Sequence, residues 1–139
     1  VARHARRHLH RELGVLGMIG DIIGFAGDSA LVWFDAADHP QHAELAVEVA
    51  SCMPRDIDAL PAAMSGGRRL RVSVGVHTGV VQAHLVGSSQ LGLFLCGPDT
   101  STLVALQTRA DPGQVLMSAA TAAQVASTWC ATPVPIAVG

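Results

Sequence analysis

The sequence predicts an α+β domain with a mainly antiparallel sheet. Three observations carry that expectation. Two β-rich apolar runs, Asp21 to Phe25 and Ser29 to Phe34, flank the break Ala26-Gly27-Asp28, which is the pattern of a hairpin. Leu70, Val72, Val74 and Val76 alternate with Arg71, Ser73 and Gly75, the period of two of a half-buried strand. Helical periodicity comes in separate blocks between runs of several short strands, which argues against a doubly wound parallel sheet.

Taken in order, Ala5, Leu9, Leu13 and Leu16 recur at helical spacing with Arg3, Arg6, Arg7 and Arg11 between them, predicting a helix over 1–18. Gly14, Gly17 and Gly20 weaken its second half. After the hairpin, Asp35 to Gln41 is a polar connection with Pro40. Ala43 to Met53 is then a helix whose Leu45, Ala46, Val49 and Met53 share a face, with Glu44 and Glu48 on another. Pro54 ends or kinks it, with a shorter helix through Ile57 and Leu60, and Ser65-Gly66-Gly67 is a loop. His77-Thr78-Gly79 interrupts the strand over 70–76, and further strands follow at 80–86 and 91–96 around the turn Gly87-Ser88-Ser89. Thr100 to Ala110 is a helix, Gln114 to Met117 a short strand, and Ser118 to Ala126 a helix capped by Ser118. Helix, hairpin, helix and strand in this order match a ferredoxin-like unit without its first strand.

At 139 residues the chain is long enough for one domain with a core. Half of it is hydrophobic but only 4% aromatic, so the core is aliphatic. A net charge of −2 argues against a general nucleic-acid binder. The chain holds no Lys, Asn or Tyr, which removes P-loop, Schiff-base and kinase-type lysine chemistry and N-glycosylation. Cys52, Cys96 and Cys130 are scattered and odd in number, the usage of buried thiols in a reducing compartment. The longest uncharged run, 112–139, is broken by Pro, Gly, Gln and Ser, so no spanning helix is expected. The first dozen residues are interrupted by Arg and His, unlike a signal peptide. The default is a cytoplasmic domain; its start at Val1 without Met suggests truncation.

Three segments resemble the catalytic domain of class III nucleotide cyclases. Gly20-Asp21-Ile22-Ile23-Gly24-Phe25-Ala26-Gly27-Asp28-Ser29-Ala30-Leu31 looks like the family's metal-binding hairpin. Its Phe-Ala-Gly-Asp turn is closest to the soluble, bicarbonate-responsive adenylate cyclase branch. Leu70 to Gly79 is similar to the following hairpin, and Ala110 to Ser118 to the late helix-to-strand connection. The three stand in family order and cover about residues 20 to 118. The resemblance implies that the whole chain, 1–139, is one cyclase homology domain, expected to be truncated at both ends.

The resemblance implies ATP cyclisation to cyclic AMP and pyrophosphate at an interface shared with a second cyclase domain, as homodimer or heterodimer. Two divalent metals, Mg²⁺ or Mn²⁺, assist by lowering the ribose hydroxyl's pKa and offsetting phosphate charge. By resemblance Asp28 is the second of the family's two metal aspartates, with Phe25 and Gly27 beside the nucleotide. A turn carboxylate suits a hard cation, although Gly-Asp is also common in ordinary turns. Asp21 aligns with a non-metal position. A purine contact would fall near Pro98, Asp99 or Thr100, making Asp99 a nucleotide candidate; the alternative is an N-cap or first-turn acid.

Departures from the family are equally specific. The first metal Asp lies before the initial helix in the family, ahead of where this chain starts. Gly24 replaces a purine-recognising Lys, and the transition-state Asn and Arg fall at Ser101 and Ala105. Arg109 lies one turn beyond Ala105. By this resemblance the chain looks like the metal-supplying half of an asymmetric pair, inactive alone. The alternatives are a non-catalytic pseudo-cyclase acting by pairing or nucleotide sensing, and an unrelated ferredoxin-like interaction domain. His4, His8 and His10 lie among arginines on a solvated helix face. His39 and His42 flank a helix start, and His77 reads as a turn residue. The apolar composition also fits a dimer interface.

Overall fold

The computed structural model describes residues 20–61, 66–88 and 92–134. The helix expected over 1–18 lies outside them. β1 (Asp21–Ala26) and β2 (Ser29–Trp33) form the expected antiparallel hairpin, with a register irregularity between Ile22 and Gly24. Its turn requires Gly27, whose φ of 63° is a left-handed conformation that costs a side-chain-bearing residue energy. Asp35 closes the next connection: its carboxylate accepts the Ala37 N–H at 2.8 Å, and its carbonyl accepts the N–H groups of Asp38 and His39.

α1 (His42–Asp58) presents Ala43, Val47 and Ala50 as one fully buried stripe, at the i, i+4, i+7 spacing of a helix face. Of the two expectations at Pro54, an end or a continuation, the structure has the continuation: the helix runs through Pro54 and Ile57 and stops at Asp58, short of Leu60. Proline removes one backbone bond but leaves the following turn able to form. Arg69 grips Asp58 near the helix end through two guanidinium nitrogens. That contact holds the Asp58 carboxyl below its ordinary range.

β3 is shorter than the alternating run that predicts it, spanning Val74–Val76. It pairs in parallel with β6 (Val115–Met117), Val74 opposite Val115 and Val76 opposite Met117. Backbone bonds extend the pairing past β3, from Gly113 N–H to Val72 carbonyl at 2.9 Å and from Ser118 N–H to Val76 carbonyl at 3.0 Å. Between them β4 (Gln82–Val86) and β5 (Gly92–Cys96) make a second antiparallel hairpin. The antiparallel pairs are thus both hairpins, and the parallel pair lies at the core.

Val76 meets the α1 stripe and Val125 in that core, with Val74, Val115, Met117 and Trp129 packed around it. Aliphatic side chains dominate, as the composition requires. α2 (Pro98–Arg109) is separated from β5 by Gly97 alone and lies against β3. The contact is close because Gly75 has no side chain. A Cβ there would stand 2.7 Å from the Gln107 amide nitrogen and 3.0 Å from the Leu103 carbonyl. α3 (Ala119–Gln124) starts at the expected cap, where Ser118 Oγ accepts the Thr121 N–H at 3.2 Å. No helix among the described residues is long and apolar enough to cross a membrane.

Candidate nucleotide site

The β1–β2 turn carries Phe25, Gly27 and Asp28 to an exposed hairpin tip, where Phe25 is 76% accessible. Local chemistry explains the shape: apolar runs pair on either side, and Gly27 alone tolerates the turn's backbone. Asp28 is therefore a solvated carboxylate at the hairpin turn. Its oxygens are the hard donors that Mg²⁺ or Mn²⁺ prefers. One carboxylate supplies only part of a six-coordinate shell, and among the described residues no group of three His, Cys, Asp or Glu side chains gathers around a common point. Asp28 thus fits a metal as one ligand; phosphate oxygens and a further carboxylate would have to complete the shell.

Asp99 lies elsewhere in the fold. It occupies the first turn of α2, with Gly97 in the cap position. One oxygen accepts the Val80 N–H at 2.7 Å, and the other lies 3.2 Å from His77 Nε2. The Val80 amide, followed by His77, holds the Asp99 carboxyl below its ordinary range, since both favour the charged form. Its acceptor capacity is directed at the β3–β4 connection, the first-turn-acid alternative of the sequence reading.

His77 Nδ1 lies 2.8 Å from Ser118 Oγ, and Ser118 Oγ lies 3.1 Å from Thr121 Oγ1. Thr121 is fully buried and also reaches Thr78 Oγ1 at 3.1 Å. The sequence singled out His77, Asp99 and Ser118 separately and missed that they form one network. A chemical signal was present in His77-Thr78-Gly79. A Cβ on Gly79 would lie 2.6 Å from Asp99 Cγ and 2.8 Å from His77 Nε2, so the network needs glycine there.

The outer face of α2 holds a shallow hollow of about 450 Å³, lined by Thr100, Ser101, Val104, Ala105, Thr108 and Arg109. Ser101 and Ala105 are exposed on it. Neither a hydroxyl nor a methyl group can reproduce the charge and reach of an Arg, or the paired donor and acceptor of an Asn carboxamide. Arg109 lines the same hollow, about 6 Å along the axis from Ala105 at the helical rise per residue.

Comparison with known proteins agrees with this fold. The guanylate cyclase domain of RhGC from Catenaria anguillulae, solved with GTP, superposes with a TM-score of 0.74 at 19% identity, covering 95% of this chain and 69% of that one. The guanylyl cyclase domain of the RhoGC fusion protein from Blastocladiella emersonii, a non-canonical dimer, gives 0.74 at 20% identity, with 95% and 70% covered. The adenylyl cyclase CyaB from P. aeruginosa gives 0.64 at 18% identity, with 91% and 65% covered. No curated protein sequence matches the chain. Those superpositions establish a shared α+β cyclase fold; membership rests on the sequence, because residues 18–132 match the profile described as the adenylate and guanylate cyclase catalytic domain. With most of its length inside that match, the chain belongs to the adenylate and guanylate cyclase catalytic domain family.

Proposed function

We propose that this domain is the metal-supplying half of a paired nucleotide cyclase site, converting ATP to cyclic AMP and pyrophosphate with a second cyclase domain. The observation that carries the proposal is Asp28, exposed on a glycine-dependent hairpin tip within the family match. Asp28 would hold a divalent cation against the triphosphate, while Phe25 and Gly27 flank the nucleotide. When bound, the metal supplies charge compensation and acidifies the attacking hydroxyl. The second domain must bring the transition-state and purine-reading groups that Ser101, Ala105 and Gly24 do not provide. The isolated 139-residue chain therefore makes no cyclic nucleotide.

The ATP reading rests on the resemblance of the Phe25-Ala26-Gly27-Asp28 turn to the bicarbonate-responsive adenylate cyclase branch. The composition supports a cytoplasmic setting and no nucleic-acid partner. Ser101 and Ala105, exposed where the family carries an Asn and an Arg, favour one second reading: a pseudo-cyclase that pairs without catalysing.

Calorimetric titration with a non-hydrolysable ATP analogue and Mn²⁺ tests the half-site. Binding by the native chain that disappears in Asp28→Ala is the expected result. Equal binding by both proteins removes Asp28 from the site, and binding by neither favours the pseudo-cyclase. A GTP analogue in the same titration decides the base preference.

A further inference from the structure

The β4–β5 hairpin leaves the core at His77 and returns to it at Gly97, so its two ends come together beside Asp99. Val80, three residues after His77, donates its N–H to Asp99 Oδ2 at 2.7 Å. His77 Nε2 lies 3.2 Å from Asp99 Oδ1. The first turn of α2 thereby staples the outgoing strand to the returning one. The His77 side chain is only 10% exposed and that of Asp99 32%, so water competes weakly for the imidazole.

We propose that His77 and Asp99 form a proton-sensitive latch at the base of the β4–β5 hairpin, tight when the imidazole is charged and looser when it is neutral. Nε2 sits at ion-pair distance from the carboxylate but off the line of a hydrogen bond. A neutral N–H gains little in that geometry because hydrogen bonds are directional. A charged imidazolium gains more, because Coulomb attraction depends on distance. The second nitrogen accommodates the same proton. With Nδ1 bare, the Ser118 hydroxyl donates to it; with Nδ1 protonated, Ser118 Oγ accepts and turns its own proton toward Thr121 Oγ1, 3.1 Å away.

Among the described residues, the ring's charged contact comes from one direction. Asp99 on α2 is the charged group against the ring, Ser118 and Thr121 face it from the β6–α3 side without charge, and Thr78 follows it in the chain. Gly79 fixes the spacing, since any Cβ would strike both the carboxylate and the imidazole. Losing the ring proton removes attraction from a contact that also orients Asp99 toward Val80. The hairpin base loosens, while α2 stays seated on β3 through Gly75.

Amide hydrogen exchange of the whole chain, followed by NMR at pH 5.5 and pH 7.5, tests the latch. Rates at Val80 are normalised to those of an unstructured chain at each pH. Wild-type protection is expected to fall about two- to fivefold between the two conditions, the range of a partly exposed ion pair. His77→Gln keeps a hydrogen-bonding side chain without the titrating proton and should show no such change; Asp99→Asn should behave alike. Ser118→Ala, which leaves both charges in place, should retain the change. Constant wild-type protection overturns the proposal, as does a pH response that survives in either His77→Gln or Asp99→Asn. The Asp99 variant decides the matter if the His77 variant does not fold.

Discussion

Gly75→Ala is the most direct probe of how β3 seats α2. The added Cβ would lie 2.7 Å from Gln107 N, 3.0 Å from Leu103 carbonyl oxygen and 3.2 Å from Gln107 Cα. All three are backbone atoms of one helix, so no side chain can swing aside. Restoring an ordinary contact of 3.4 Å requires about 0.7 Å of separation between helix and strand. Overpacking of this kind costs about 1–3 kcal/mol. Gly92→Ala is the control, because the nearest atom to its new Cβ is Val86 carbonyl oxygen at an ordinary 3.8 Å. Urea unfolding followed by circular dichroism should therefore show a lower midpoint for Gly75→Ala and a difference of at least about 1 kcal/mol between the variants. Equal midpoints for the two would refute the reasoning that α2 rests its backbone on Gly75. Moving α2 also moves Ser101 and Ala105, so the same substitution should weaken pairing with a second domain if that face is used.

Thr121→Val keeps the shape of a fully buried side chain but removes the hydroxyl shared by Ser118 and Thr78. A loss of about 1–3 kcal/mol in unfolding free energy is expected, because two half-buried partners lose a hydrogen bond to a fully buried hydroxyl. Pro54→Ala should raise the urea midpoint, since it restores an amide donor inside α1. No change would mean that the proline ring's packing offsets the bond. The depressed Asp99 carboxyl contributes stability that is fully present above its ordinary value of 3.8 and lost as the pH falls through its lower folded value. Asp99→Asn should lower stability at neutral pH and flatten this acid limb; an unchanged acid limb would contradict the assignment.

Local patterns made several parts of the molecule legible. The β1–β2 hairpin followed from apolar runs around Gly27-Asp28, and the Ser118 cap from a hydroxyl ahead of a short apolar helix, because both depend on residues a few positions apart. The helix over 42–58 showed the limit of such reading. Pro54 is a strong local stop, yet the buried Ala43, Val47 and Ala50 stripe anchors the helix and one more turn forms beyond the proline.

For the site, the sequence carried Asp28 to the hairpin tip and exposed the changed chemistry at Ser101 and Ala105. It left Asp99 as either a nucleotide contact or a first-turn acid, since its neighbours in the chain are compatible with both. The tertiary structure supplied the partners, Val80 and His77, which are 19 and 22 positions earlier.

By itself, then, the sequence determined the hairpin, the helix faces, the aliphatic core and the family's three ordered segments. Alternation and periodicity encode which side of an element avoids water. They do not encode which element covers it. Parallel pairing of Val74–Val76 with Val115–Met117, the backbone contact at Gly75 and the His77–Asp99–Ser118 network were decided by the tertiary structure. Each joins residues far apart in the chain, where sheet pairing and close packing select the partners and local patterning is silent.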